Sequence, residues 1–268
     1  MIAAATVRDA LEAAIDALTA AGCDTPRLDA ELLLADAMGV DRAQLLTDPA
    51  RAVPADAARR AGGLIRRRVQ REPVAYVIGR KAFRRIELAV DSRVLVPRPE
   101  TELLVEVALE LPSGARVHDV GTGSGAVALA IKEERPDLVV SASDVMPAAV
   151  DVARANAARL GLDVPLAVAR GLPSGEYDLV LANLPYVRED QWPELPPEIR
   201  LYEPREALVA GSDGLDAIRE FVSDAPSGTR VAVEHSPMQA GAVRDMLREP
   251  ETRRDLAELA RVCIGTVP

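Results

Sequence analysis

From Arg116 onward, short apolar runs alternate with segments of helical periodicity, and this alternation is the feature that most narrows the choice of fold. The predicted strands are Arg116–Val120, Leu138–Ala142, Val164–Ala169, Tyr177–Ala182 and Arg230–Glu234, and the predicted helices between and after them are Ala126–Glu134, Pro147–Leu160, Gly214–Ser223 and Met238–Leu247. Strands joined by crossover helices form a parallel sheet with helices on both faces. The sequence therefore predicts a doubly wound α/β domain, which binds ligands at the carboxyl ends of its strands.

The region before this domain carries helical periodicity alone. Apolar side chains recur at three- and four-residue spacing from Thr6 to about Arg71, which predicts four helices with short connections. We interpret this region as a small helical bundle. Its arginines are dense between Arg59 and Arg71, and we predict a solvated helix face there, with a surface facing RNA or the ribosome as the alternative.

A short connecting region separates the two parts. Glu72-Pro73 ends the helical pattern, and Val74–Gly79 and Lys81–Val90 predict short strands with a glycine turn, hence a hairpin. Two prolines then fix an extended loop at 97–99, which leads into a helix from about Thr101 to Leu111. We expect a helical domain over residues 1–72, a hairpin linker over 73–95 and the α/β domain over 96–268.

Composition narrows the possible surroundings of the chain. The net charge of −10 argues against a broad electrostatic grip on nucleic acid. The start at Met1 has no cationic region before Arg8, and no apolar run reaches the length of a membrane span, so we expect neither a secretory signal nor membrane insertion. Cys23 and Cys263 lack metal-ligand spacing. We expect a cytoplasmic monomer with reduced thiols and no metal site.

A glycine-rich turn and a nearby acid predict a cofactor site. Gly121-Thr122-Gly123-Ser124-Gly125 follows the first predicted strand, but its spacing differs from that of dinucleotide-binding and P-loop motifs, so it does not indicate a phosphate cradle. Asp144 ends the next strand, where a carboxylate can accept both hydroxyls of a ribose. Asp119, just before the turn, can orient it or bind an amino group through water. This combination fits S-adenosylmethionine, which has a ribose but no phosphate.

The tetrapeptide Asn183-Leu184-Pro185-Tyr186 follows the strand Tyr177–Ala182 and predicts a substrate clamp. Methyl transfer from a sulfonium is an in-line displacement, whose main demand is to position the accepting nitrogen. The Asn183 side-chain oxygen and the Leu184 carbonyl can hold the N–H groups of an amide or an aromatic amine. Pro185 favours an extended Leu184, and Tyr186 can pack over a flat substrate group. The motif alone leaves glutamine and adenine open.

Longer strings of sequence carry a family resemblance. With these motifs, the chain resembles the bacterial HemK/PrmC protein methyltransferases over nearly its whole length, and the matching strings are Arg27–Leu34, Glu72–Gly79, Val96–Glu102, Asp119–Gly125, Tyr202–Leu208, Asp213–Asp216 and Glu234-His235. The resemblance implies a Rossmann-like class I methyltransferase domain behind a helical bundle. It also implies transfer from S-adenosylmethionine to the glutamine of the Gly-Gly-Gln motif in peptide-chain release factors. By this resemblance Gly121–Gly125 and Asp144 bind the cofactor and Asn183–Tyr186 bind the glutamine, with Asn183 also beside the cofactor.

The chain also departs from the family pattern. Leu184 stands where the family has proline, and Ala169–Pro173 lacks the usual Gly-Asp pair, so that Leu172 is the residue expected to pack on adenine. His235 is followed by Ser236 and not by glycine. Two alternatives therefore remain: an adenine-N6 methyltransferase acting on RNA or DNA, and a weakly active paralogue that binds the cofactor. For the favoured reading we expect a release factor as partner and no direct binding of nucleic acid.

Overall fold

The computed structural model describes residues 5–268, so the first four residues of the expected non-secretory start lie outside the described part. Contacts within the chain define two compact units. One comprises the residues up to Gly79 together with Pro196–Tyr202, and the other comprises Arg80–Leu195 and Glu203–Pro268. The first is called the helical unit below and the second the α/β unit.

The helical unit confirms the four helices predicted before Arg71. Its helices are α1 (Val7–Ala20), α2 (Pro26–Met38), α3 (Arg42–Thr47), α4 (Ala55–Val69) and α5 (Val74–Ile78), and the later α9 (Pro197–Tyr202) belongs to the same unit. Thr6 caps α1 by accepting a hydrogen bond from the Asp9 N–H, while the Asp9 side chain accepts from the Thr6 N–H. Leu18, Leu33 and Leu34 are buried and supply much of the packing.

The predicted strand at Val74–Gly79 is wrong, because this segment forms α5. A short apolar run does not by itself distinguish a strand from a buried helix. Here the Arg67 guanidinium donates hydrogen bonds to the carbonyls of Tyr76 and Val77, at the end of the helix, and Gly79 then takes φ 75°. The predicted hairpin instead lies wholly beyond this point, as β1 (Arg80–Phe83) paired antiparallel with β2 (Ile86–Ala89).

The dense arginines of the helical unit largely form internal ion pairs. Arg68 is buried and lies 2.7 Å from Asp29 and 2.8 Å from Glu198. Arg71 also pairs with Glu198, and Arg67 pairs with Glu72. The predicted solvated face is therefore wrong for Arg68, since neighbouring carboxylates satisfy the buried charge.

The α/β unit contains a seven-stranded sheet in the order β5-β4-β3-β6-β7-β9-β8. Its remaining elements in chain order are α6 (Glu102–Leu109), β3 (Arg116–Val120), α7 (Ala126–Glu134), β4 (Val139–Asp144), α8 (Pro147–Leu160), β5 (Leu166–Val168), β6 (Leu179–Ala182), α10 (Asp216–Asp224), β7 (Arg230–Glu234), α11 (Ala240–Asp245), β8 (Arg248–Arg254) and β9 (Ala260–Thr266). Five of these strands run parallel, as the alternation of strands and helices predicts.

The last two strands correct the expectation of a wholly parallel sheet. β9 inserts between β7 and β8 and is antiparallel to both. Strand β8 (Arg248–Arg254) lies at the edge of the sheet and is rich in charged residues. Its sequence therefore lacks the alternation of apolar and polar residues from which a strand could be predicted. β9 buries Val262 and Cys263 against the core.

The order of the strands in the sheet reverses at β3. β3 lies between β4 and β6, so the chain leaves β3 towards one side of the sheet and later returns on its other side. Such a reversal of strand order opens a crevice at the carboxyl ends of the two strands. Because Val120 pairs with Ala182, the glycine turn after β3 and the tetrapeptide after β6 meet at this crevice.

Candidate functional site

A cavity of about 210 Å³ lies at the crevice between β3 and β6. It brings together most of the residues predicted for cofactor and substrate, namely Gly121, Thr122, Gly123, Ser124, Asp144, Asn183, Leu184 and Pro185. The loop before α6 contributes Pro97, Arg98 and Thr101. Gly125, Leu172 and Tyr186 are not among the residues that line it.

The turn after β3 needs glycine for conformation and for space. Gly121, Gly123 and Gly125 have φ of 73°, 55° and 85°, in the left-handed region that favours glycine. A Cβ at Gly121 would lie 3.2 Å from the Leu184 side chain, and one at Gly125 would lie 2.8 Å from Leu129. The turn can therefore pass directly beside the tetrapeptide and leave its backbone open to the cavity.

Asp144 is held by the backbone while keeping acceptor capacity. Its two carboxylate oxygens accept hydrogen bonds from the N–H groups of Gly123 and Met146, each at 2.9 Å. A carboxylate offers about four lone-pair positions, so these two bonds leave others for ligand hydroxyls. Val145 and Met146 follow at the rim of the cavity and are 53% and 48% exposed, so they offer an apolar surface to a flat ring.

Asp119 is a second acid at the cavity, and its burial is nearly complete at 2% exposure. The Thr122 hydroxyl donates to its Oδ2 at 2.6 Å. Burial raises the pKa of Asp119 to about 7, against the smaller opposing effect of hydrogen bonds. A cationic group bound beside Asp119 would favour its charged form, so this acid is suited to an amino group.

Asn183 and Leu184, two residues of the tetrapeptide, both line the cavity. The Asn183 Nδ2 donates to the Thr101 hydroxyl oxygen at 2.9 Å, which leaves its Oδ1 as the remaining acceptor of the amide. Among the hydrogen bonds of residues 5–268, none engages the Leu184 carbonyl. An amide and a carbonyl placed in this way can hold two N–H groups of one substrate.

Tyr186 is anchored on both its backbone and its side chain. Its carbonyl accepts from Gln239 Nε2 at 2.9 Å, and its hydroxyl donates to Glu234 Oε1 at 3.2 Å. Burial raises the pKa of Tyr186, and the neighbouring Glu234 carboxylate adds to the effect. Gly214 lies so close that a Cβ there would be 2.3 Å from the Tyr186 carbonyl oxygen. Packing of Tyr186 over a substrate stays a prediction.

Comparison with known proteins identifies the family. A sequence model of the PrmC N-terminal domain matches residues 9–79, and one of the methyltransferase small domain matches residues 99–195. The chain is 39% identical to a release factor glutamine methyltransferase of Caulobacter vibrioides, covering 97% of this chain and 96% of that protein. The chain belongs to the release factor glutamine methyltransferase family. It is therefore a methyltransferase, as its sequence predicts.

This chain is also similar to other release factor glutamine methyltransferases and to a methyltransferase of known structure. Release factor glutamine methyltransferases of Cereibacter sphaeroides and Deinococcus radiodurans are 40% and 39% identical, covering 96% and 93% of this chain and 92% and 94% of those proteins. Among solved structures, a methyltransferase from Pyrococcus furiosus is 16% identical with a TM-score of 0.47, over 67% of this chain and 87% of that chain.

Some residues of this family member have no role assigned by the sequence alone. The tetrapeptide forms side-chain hydrogen bonds with Thr101, Glu234 and Gln239. The sequence analysis included Thr101 and Glu234 only as parts of segments that resemble the family, and it assigned them no role. The pairing of strands β6 and β7 could have indicated Glu234, because Ala182 pairs with Val233 and the next residues, Asn183 and Glu234, follow at neighbouring strand ends. That register becomes visible only once the strand order is known.

The shortened loop at Ala169–Pro173 also takes a definite form. Arg170 donates to Glu220 at 2.7 Å, and both border a second cavity beside Gly121 and Leu184. Leu172 packs against the core cluster, and it lines neither cavity. Its predicted contact with adenine therefore stays a prediction.

Within residues 5–268, no group of three or more His, Cys, Asp or Glu side chains is arranged to hold a metal ion. No helix in the same part of the chain has the length and apolar character needed to cross a bilayer. Cys23 and Cys263 are both buried and free.

Proposed function

We propose that this protein transfers a methyl group from S-adenosylmethionine to the side-chain amide nitrogen of a glutamine in a peptide-chain release factor. The observation that carries the proposal is the pair of acceptors at Asn183 Oδ1 and the Leu184 carbonyl, beside a cavity with the glycine turn and Asp144. The names of the relatives supply the substrate class.

The residues at the cavity suit S-adenosylmethionine. Asp144 retains lone pairs for two ribose hydroxyls, and Asp119 is a buried acid suited to the amino group. The turn Gly121–Gly125 lets backbone approach the ligand closely, and Val145 offers an apolar face. When bound, the cofactor supplies an electrophilic methyl group on a sulfonium.

The tetrapeptide places the accepting nitrogen. An amide nitrogen is a weak nucleophile because its lone pair is delocalised, so holding it in line with the methyl group is the main catalytic demand. The Asn183 Oδ1 and the Leu184 carbonyl accept its two N–H groups. As the new N–C bond forms and the bond from the methyl carbon to sulfur breaks, a neutral thioether would leave and the nitrogen gains positive charge, which these two acceptors stabilise. The nitrogen then loses a proton, so a strongly basic side chain is not needed before transfer.

Adenine is the second candidate substrate because the same acceptors can hold its amino group. Charge favours the protein substrate: the chain has a net charge of −10, and arginines of α4 form internal ion pairs. Affinity for nucleic acid generally depends on cations that neutralise phosphates. A release factor as partner, a monomeric state and a cytoplasmic location complete the proposal.

The direct test is methyl transfer from labelled cofactor to separate substrates. The purified protein is incubated with a release factor, with the same factor whose Gly-Gly-Gln glutamine is replaced by alanine, and with RNA. We expect label on the first alone. Label on RNA and not on the release factor would overturn the proposal. Absence of label everywhere, with cofactor binding retained in calorimetry, would instead favour the weakly active paralogue.

A further inference from the structure

The cavity between β3 and β6 is lined by more acids than cations. Among residues 5–268, its acidic lining residues are Asp119, Asp144 and Glu206, and its cationic ones are Arg93 and Arg98. Arg93 is paired with Asp91, whose two carboxylate oxygens accept from the Arg93 Nε at 2.8 Å and Nη2 at 2.7 Å. Of the two cations, Arg98 is therefore the better placed to serve a bound ligand.

Arg98 is held at the cavity by one end of its guanidinium group. Its Nη2 donates to the Glu203 Oε1 at 2.6 Å, and the other Glu203 oxygen accepts a hydrogen bond from the Val96 N–H at 3.1 Å. The Glu203 side chain is only 2% exposed, so these donors satisfy a buried carboxylate. Among the hydrogen bonds of residues 5–268, none uses the Arg98 Nε or Nη1. A guanidinium has five N–H donors, so several are left for a ligand.

The chemistry of S-adenosylmethionine requires a partner of this kind. Its amino group and its sulfonium are positive, and its negative charge is on the carboxylate of the amino-acid part. Asp119 is suited to the amino group, but the acids that line the cavity would repel the carboxylate. A charged group that leaves water is stable only when it is paired and hydrogen-bonded. The carboxylate therefore needs a cation in this cavity.

We propose that Arg98 binds the carboxylate of S-adenosylmethionine, and that Glu203 is a positioning residue that holds the Arg98 guanidinium at the cavity. This inference rests on the cofactor of the proposed function and not on its substrate. The planar guanidinium matches the geometry of a carboxylate and forms strong, charge-assisted hydrogen bonds with it. One guanidinium can serve two carboxylates, as Arg68 does for Asp29 and Glu198 in the helical unit.

A pair of ligands isolates the carboxylate. Decarboxylated S-adenosylmethionine lacks this group and keeps the adenine, ribose, sulfonium and amino group of the cofactor. Calorimetry should show that the unchanged protein binds it roughly 10- to 100-fold more weakly than S-adenosylmethionine, the range expected for hydrogen bonds to a charged group. Arg98→Met should weaken the binding of S-adenosylmethionine by a similar factor and change the Kd for the decarboxylated ligand less than about threefold.

Two further variants keep the test independent of folding. Arg98→Met leaves the buried Glu203 without a cation, whereas Arg98→Lys keeps the charge and removes the planar fork. Arg98→Lys should weaken the binding of S-adenosylmethionine roughly 3- to 10-fold and leave the Kd for the decarboxylated ligand within about twofold. Glu203→Gln keeps an acceptor for the Val96 N–H but holds Arg98 less firmly, so it should show the same selective loss. An equal loss for both ligands in Glu203→Gln would indicate a merely structural role and overturn its assignment as a positioning residue.

Arg93→Met is the matched control, because Arg93 lines the same cavity but is already paired with Asp91. It should leave the Kd for both ligands within about threefold of the unchanged protein. Equal Kd values for the two ligands in the unchanged protein, or equal losses for both in Arg98→Lys, would overturn the inference. A protein that distinguishes the two ligands through Arg98 but does not methylate a release factor would instead count against the proposed function alone.

Discussion

Both units of this protein shield acidic side chains from solvent, but the two units differ in how the negative charges are balanced. In the helical unit, Glu198 and Asp29 surround the buried Arg68, and Arg71 adds a second cation to Glu198. In the α/β unit, Glu234 accepts a hydrogen bond from the Tyr186 hydroxyl, and the Arg261 guanidinium pairs with Glu100 and Asp255. Its Oε2 has no hydrogen-bond partner within residues 5–268. One cluster has its charges matched, and the other keeps a carboxylate without a cation.

The pKa directions express this difference. Burial alone would raise the pKa of Glu198, but hydrogen bonds from Arg71 and Arg68 outweigh it and lower that pKa. Burial dominates at Glu234 and raises its pKa to about 7. Folding therefore favours the charged form of one acid and disfavours that of the other. A buried acid without a matching cation is common at functional sites, whereas matched ion pairs are typical of structural contacts.

Removing the central cation should have the largest effect on stability. Arg68→Met leaves Asp29 and part of Glu198 buried without their partner, so we expect the free energy of unfolding to fall by about 3–5 kcal/mol. Urea unfolding measures the change. Arg66→Met is the matched control because Arg66 is exposed on the same helix, and it should stay within roughly 0.5 kcal/mol of the unchanged protein. Similar losses in both variants would contradict a special role for the buried pair.

Removing the clamp should affect rate and spare stability. Asn183→Ala deletes one of the two acceptors proposed to stabilise charge on the substrate nitrogen, so kcat should fall roughly 100- to 1000-fold. Calorimetry should show the Kd for the cofactor within about twofold, since the Asp144 contacts stay in place. Turnover near that of the unchanged protein would refute the account of the clamp.

The pH dependence of stability should have opposite signs at the two acids. Glu234 has a folded pKa of about 7 against an ordinary value of 4.5, so its burial costs nothing below pH 4.5 and its full amount above pH 7. Relative to the unchanged protein, Glu234→Gln should gain up to roughly 3 kcal/mol of unfolding free energy between pH 4 and pH 8. Glu198 has a lowered pKa, so its contribution is present above 4.5 and is lost as pH falls. Relative to the unchanged protein, the free energy of unfolding of Glu198→Gln should therefore fall between pH 4 and pH 8. Parallel slopes in denaturation at pH 4, 6 and 8 would remove the distinction.

The sequence predicted residues that line the cavity, but it did not predict the residues that contact the tetrapeptide from behind. Asp144 and Asn183 follow apolar runs at strand ends, so periodicity alone placed them at one edge of a sheet. Thr101 contacts Asn183 from the start of a helix, and Glu234 contacts Tyr186 from the end of a neighbouring strand, so both contacts depend on strand order and register. The charged β8 offered no periodicity, and α5 was too short for its period to be decided. The local sequence pattern was enough to predict the positions of Asp144 and Asn183. The positions of Thr101 and Glu234, and the structures of β8 and α5, depend on tertiary contacts that the pattern does not show.

The smallest predicted effect concerns Leu184, where the family pattern has proline. Within residues 5–268 no hydrogen bond uses the Leu184 N–H, so Leu184→Pro removes none, and the carbonyl proposed to hold the substrate remains. We expect kcat within about threefold of the unchanged protein. Leu184→Ala is the control, since it removes the same packing against the core without fixing φ. A tenfold gain confined to Leu184→Pro would show that the natural residue leaves the carbonyl imperfectly aimed, and an equal loss in both variants would assign the effect to packing.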